Sequence, residues 1–139
     1  MLEKAILIAE IAFIDKVDKA GEAYLWHLER VASNFESETL KTIAYLHDIL
    51  EDCYDWNEER LSEHFPDSVV KAVVCLTHKE GQSYDDYISQ VMENDLSVIV
   101  KMADLKDNMD LTRLETITDS DIERTKKYHS AFKRLNNLN

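Results

Sequence analysis

The segment LHDILEDC brings His47, Asp48, Glu51 and Asp52 into one short stretch. At about 100° per residue, four such side chains span an arc of about 140° on a helix. That arc lies opposite Ile43, Leu46 and Leu50, so it reads either as a solvated face or as a set of converging ligands. Asp104 is harder to leave in solvent. It sits in LSVIVKMADL, where Leu96, Val98, Ile99, Val100, Met102, Ala103 and Leu105 occupy most of a helix circumference. Such a helix is buried nearly all round, and an ionised carboxylate inside it needs a cation, hydrogen bonds or a metal. Lys101, three residues earlier, offers one such cation. His27, in YLWHLERV, is either a core imidazole bonded to backbone or a ligand. His64, His78 and His129 lie in polar surroundings and read as surface residues.

If His27, His47, Asp48 and Asp104 converge, two imidazoles and two carboxylates meet one divalent ion. Nitrogen and oxygen donors without thiolate suit manganese, iron, cobalt or zinc in a catalytic site better than a structural zinc site. An ion held in that way acidifies water enough for attack on a phosphate ester or anhydride near neutral pH. Glu51 and Asp52, one helical turn past the His-Asp pair, are placed to orient that water or carry its protons.

These residues need rigid elements, and the apolar spacing supplies helices. Leu2 to Ile14 and Tyr24 to Ser33 carry helical periodicity. Ser37, with Glu38 in the first turn, opens a third helix that runs without interruption to near Cys53. Asn57 or Asp55 caps a fourth through His64, and Pro66 fits the first turn of a fifth that reaches about Thr77. Ser83 caps a sixth with Tyr84, Tyr87, Ile88 and Val91 inward, and Asn94 or Asp95 starts a seventh. A last, mostly polar helix spans about Asp119 to Asn136 with Ile122, Phe132 and Leu135 inward. Its polar side is open to solvent or to a second subunit, so oligomeric state is left open.

Composition agrees with an all-α domain. The 139 residues include only 2 Gly and 1 Pro, too few for a strand-and-turn architecture, and 45% are hydrophobic, which rules out disorder. One domain over residues 1–139 is expected. With 16 basic and 28 acidic side chains the net charge is −12, which repels phosphate backbones and anionic lipid. Neither nucleic acid nor a membrane is therefore an expected partner. Cys53 and Cys75 make no disulfide framework, and the N-terminal stretch MLEKAILIAEIAFI lacks a basic region and a cleavage site. A cytoplasmic protein is expected.

The order His27, His47-Asp48, Asp104 resembles the HD-domain metal-dependent phosphohydrolases. More specifically, DKAGEAYLWHLERVA, LHDILEDC with LSEHFPDSVVKAVVCLTH, and VIVKMADLKDNMDLTR resemble the hydrolase domain of RelA/SpoT proteins and their single-domain relatives, the small alarmone hydrolases and metazoan SpoT homologues. The likeness extends from Asp18 to Arg113. It implies a compact HD-domain bundle of seven or eight helices. It also implies manganese held by His27, His47, Asp48 and Asp104, with Glu51 and Asp52 assisting the attacking water and Asn108 contacting substrate. The implied reaction removes the 3′-diphosphate of guanosine tetra- or pentaphosphate (ppGpp), giving pyrophosphate and GDP or GTP, without synthetase activity.

Departures from the family pattern concern the substrate more than the metal. The early Ala-His-x-Gly-Gln stretch reads Ala12-Phe13-Ile14-Asp15-Lys16, and the arginine that packs on guanine is Asp18, leaving Lys19 as the basic residue there. Ala23-Tyr24 and His27-Leu28 replace Pro-Tyr and His-Pro, while Leu105 and Asp110 stand where the family has arginines. Lys19 and Asn108 are the candidate substrate contacts, and Lys79, Lys101 and Arg113 can add positive charge. Tyr24 and Tyr84 either stack a base or pack at the core boundary. The partner is a small phosphorylated nucleotide. Two further readings are an HD phosphohydrolase for another phosphorylated nucleotide or cofactor, and a catalytically silent module on the same scaffold.

Overall fold

The structure is a computed structural model that describes residues 1–138. Among these residues it is all-helical: α1 (Leu2–Ala12), α2 (Tyr24–Ala32), α3 (Glu38–Leu46), α4 (Ile49–Asp52), α5 (Glu58–Ser62), α6 (Asp67–Cys75), α7 (Tyr84–Val91), α8 (Asp95–Asn108) and α9 (Asp119–Asn136), with a 3₁₀ turn at Leu111–Arg113. Helix α3 packs against α1, α2, α6 and α8, so it forms the spine of the bundle. Helix α8 in turn touches α2, α6, α7 and α9. Leu28, Ile43, Leu46, Ile49, Leu61, Leu76, Ile88, Leu105 and Leu135 are all fully buried between them. Each such side chain contributes about 1.5–3 kcal/mol by leaving water.

The helix starts follow the local chemistry. Ser37, Asn57, Ser83 and Asn94 each accept the backbone N–H three residues on, at 2.8–3.2 Å, which satisfies a donor the helix cannot. Pro66 sits one position before α6 rather than inside it. Thr118 opens α9 with a capping box, its hydroxyl taking the Asp121 N–H while the Asp121 carboxylate takes the Thr118 N–H. This exchange buries Asp121 and rotates Ile122 outward to 43% exposure, where the apolar pattern had placed it inward. Ile99 on α8 is likewise 43% exposed, so that helix keeps one wet edge.

The largest departure from the expected elements is at the third helix. It is not continuous to Cys53 but breaks after Leu46 and restarts at Ile49. Asp48, at φ −102° and ψ 0°, takes the bridge conformation rather than the helical one. Counted as one broken helix, α3 and α4 bring the bundle to eight. The α1–α2 connection is also ordered by its residues: Asp18 Oδ1 accepts the Ala20 and Glu22 N–H groups at 2.9 and 3.0 Å, and Gly21 supplies the φ of +81° that the turn needs. Cys53 and Cys75 are both free thiols. No described helix is long and apolar enough to cross a membrane.

Candidate metal centre and cavity

Two helices and the α3–α4 break deliver four side chains to a single point. His27 comes from α2, His47 and Asp48 from the break, and Asp104 from the middle of α8. One donor atom from each of the four lies within 4.8 Å of all the others. Nε2 of His27 and of His47 approach the same Asp104 oxygen at 2.9 and 3.2 Å, and Nε2 of His47 is 3.1 Å from Asp48 Oδ2. His27, His47 and Asp104 are buried, at 2–3% exposure.

The rest of each ring is already committed. His47 Nδ1 donates to the Ala44 carbonyl at 2.6 Å, and His27 Nδ1 donates to Asp107 Oδ2 at 2.6 Å. With Nδ1 carrying the proton in both rings, the neutral imidazoles turn their Nε2 lone pairs toward the carboxylates. Two lone pairs facing two anions require positive charge between them. In the absence of a metal, protons supply it: burial works against a charged His27, yet its bonds to Asp104 and Asp107 raise it to about 9. Burial likewise opposes charge on His47, but Asp48 and Asp104 push it well above the ordinary histidine value. Burial alone would raise both carboxyls; instead Lys101, His47 and His27 hold Asp104 well below the carboxylate range, and His47 draws Asp48 down to about 2. A divalent cation fits this donor set, because it replaces those protons with one charge at the point where all four donors aim.

Lys101 does pair with Asp104, Nζ to Oδ2 at 2.9 Å, so the structural salt bridge and the four-residue cluster coexist on the two oxygens of one carboxylate. Asn108 Nδ2 donates to the other oxygen at 3.1 Å. Asp48 is fixed by the Tyr24 hydroxyl, which donates to Oδ2. That bond gives Tyr24 a role in the site that its aromatic type alone did not suggest.

Above the cluster opens a cavity of about 620 Å³, within the range of small-ligand sites. Asp48 and Asp104 lie at its floor, and Lys19, Glu51, Asp52 and Asn108 line it as well. Glu51 stands at the exposed rim and accepts the His78 N–H; desolvation by the surrounding protein raises its carboxyl above the ordinary glutamate value. Asp52 is ion-paired with Lys16 at 2.5 Å, and the Lys16 ammonium sits 4.1 Å from the Tyr24 ring centroid. His78 is solvent-exposed, as expected, but it faces this cavity and stacks on Tyr87 at 4.8 Å.

Several lining groups carried no recognisable motif. The polar side of α9 supplies Arg124, Lys127 and Tyr128 to the cavity wall. Lys127 lies 4.5 Å from the Tyr84 ring centroid. Behind the cluster, Arg30 grips Asp107, Nε to Oδ1 at 2.8 Å and Nη2 to Oδ2 at 3.1 Å. A usable signal existed for this pair: Arg30 follows His27 by three residues, and Asp107 follows Asp104 by three, so each shares a helix face with a cluster residue.

An all-helical bundle with a His-His-Asp-Asp cluster under a polar cavity has the architecture of the HD domain. Among solved structures, a metazoan ortholog of SpoT, which hydrolyzes ppGpp and plays a role in starvation responses, shares the fold with a TM-score of 0.77. The match covers 96% of this chain and 84% of that one at 19% sequence identity. No protein-family profile and no curated protein matches the chain.

Proposed function

We propose that the chain is a divalent-metal-dependent phosphohydrolase that removes the 3′-diphosphate of ppGpp, acting in the cytoplasm as a single HD-type domain over residues 1–139. The observation that carries this reading is the meeting of His27, His47, Asp48 and Asp104 at the floor of a cavity large enough for a nucleotide. The fold shared with a ppGpp hydrolase supports the choice of substrate class.

His27, His47, Asp48 and Asp104 would hold the ion, most suitably manganese, which supplies Lewis-acid polarisation of a phosphoryl oxygen and an acidified water. Glu51, one turn beyond Asp48 and open to the cavity, takes the proton from the attacking water. Asp52, held by Lys16, fixes the charge beside it. Asn108 and Lys19 contact the substrate, the first from the floor and the second from the turn before α2. Arg124 and Lys127 offer positive charge to phosphates from the opposite wall.

One observation favours a second reading, in which the substrate is another phosphorylated nucleotide. Asp18 spends its carboxylate closing its own turn, Leu105 is fully buried, and Asp110 caps the 3₁₀ turn through Thr112. None of the three presents a cation to a base or a phosphate. Pyrophosphate release from ppGpp by manganese-loaded protein, abolished by EDTA, is the expected result. Absence of release from protein shown to hold manganese would overturn the ppGpp assignment in favour of the second reading.

A further inference from the structure

We propose that Asp107, clamped by Arg30, is a positioning residue for His27: it accepts the Nδ1–H and so aims the Nε2 lone pair at the four-residue cluster. The inference rests on the metal-binding reading of that cluster and adds to it the device that orients one ligand.

The two histidines reach the same orientation by different means. His47 is fixed by a backbone carbonyl, that of Ala44. His27 has no such carbonyl and depends on a side chain 80 residues away in sequence. A free aspartate on a helix surface would hold that bond loosely, since its χ angles are unrestrained. Asp107 is not free: Arg30 binds it in a two-pronged grip at 2.8 and 3.1 Å, and Arg113 Nη2 adds a longer contact at 3.4 Å. The planar guanidinium fork sets the plane of the carboxylate, and the carboxylate sets the plane of the ring.

The network also explains why Arg30 belongs on α2. Its guanidinium lies 3.9 Å from Asp18 Oδ2, on the turn whose next residue is Lys19. One arginine therefore joins the turn that carries a substrate contact, the helix that carries His27, and the helix that carries Asp104. Neither Arg30 nor Asp107 belongs to the four-residue cluster, so their effect must appear in ligand geometry.

The test uses the full chain and metal alone. Mn²⁺ affinity is measured by calorimetry for wild type and Asp107→Asn, and ring ¹H–¹⁵N correlations of His27 and His47 are recorded on Zn²⁺-loaded protein. The expected result is Mn²⁺ binding weakened about 10- to 100-fold in Asp107→Asn. With it, the His27 Nδ1–H signal broadens through solvent exchange, while that of His47, held by Ala44, is unchanged. Unaltered Mn²⁺ affinity, or equal disturbance of both histidines, overturns the proposal. If Asp107→Asn does not fold, Arg30→Met, at a partly exposed position, carries the test: selective broadening of the His27 signal supports the clamp, and an unchanged signal overturns it. Wild-type protein that binds neither ion would overturn the metal site itself, an outcome distinct from wild-type binding that Asp107→Asn leaves intact.

Discussion

His47 and Asp48 are consecutive in the chain, yet Nε2 of one lies 3.1 Å from Oδ2 of the other. Neighbours in a regular helix diverge by about 100° and do not face each other. The bridge conformation of Asp48 removes that divergence and turns an adjacent pair toward one point. Sub-optimal helix geometry is retained here because the surrounding contacts over-determine it: Ala44 fixes the ring and Tyr24 fixes the carboxylate.

Asp104 is the keystone of the cluster, since His27, His47, Lys101 and Asn108 all bond to its two oxygens. Asp104→Asn is expected to abolish Mn²⁺ binding. It also leaves the half-buried Lys101 without its counter-charge, so a loss of up to about 3 kcal/mol in unfolding free energy accompanies it. Helicity by circular dichroism should change little at low temperature, because α8 is anchored by Val98, Val100 and Leu105. Full metal occupancy in this variant would refute the ligand set.

The sign of the pH dependence should invert with metal. In metal-free protein His27 is raised from 6.5 to about 9, so its contribution is complete below pH 6.5 and is lost as the pH climbs through about 9. That contribution is on the order of 3 kcal/mol for so buried a ring. Asp107 is lowered from 3.8 to about 2, with burial opposing and the His27 and Arg30 bonds prevailing, so its contribution disappears only as the pH falls through about 2. EDTA-treated protein should therefore lose thermal stability between pH 6.5 and 9. The metal-loaded protein should hold or gain stability from pH 5.5 to 8, because metal and protons compete for the same Nε2 atoms. Parallel melting curves for the two forms would contradict this competition.

Helix content and the side chains that converge were legible because their signals are local. Ser37, Ser83 and Asn94 announce their helices, and Asp104 announces itself as a carboxylate in an apolar run. The α3–α4 break was not legible, since LHDILED continues the helical periodicity without a glycine or proline. The break exists for tertiary reasons, namely the Ala44 carbonyl under His47 and the Tyr24 hydroxyl on Asp48. Arg30, Asp107 and the cavity face of α9 were hidden for the same cause: each gains its role from a partner dozens of residues distant.

Glu51→Gln separates catalysis from binding. The amide keeps an oxygen that can accept the His78 N–H, so the rim geometry survives. It cannot take a proton from water. Metal affinity should stay within about twofold of wild type while kcat falls about 10²- to 10⁴-fold, as for loss of a general base. Undiminished turnover in a metal-replete Glu51→Gln protein would remove Glu51 from the proposed mechanism.

The α9 wall allows a test that touches neither metal nor water. Thr118 donates its hydroxyl proton to Asp121 Oδ2 at 2.9 Å and accepts the Asp121 N–H, which fixes the first turn of α9. Asp121 in turn binds Arg124, and Arg124, Lys127 and Tyr128 face the cavity from the following turns. Thr118→Ala removes the cap at a cost of about 1 kcal/mol and frays this end of the helix without altering any wall residue. If the wall binds the substrate's phosphates in both ground and transition states, KM rises several-fold while kcat is preserved. Metal affinity, measured on the same preparation, should not change, because α9 contributes no ligand to the cluster. A fall in kcat at constant KM would instead place α9 in the chemical step and contradict its assignment as a binding wall.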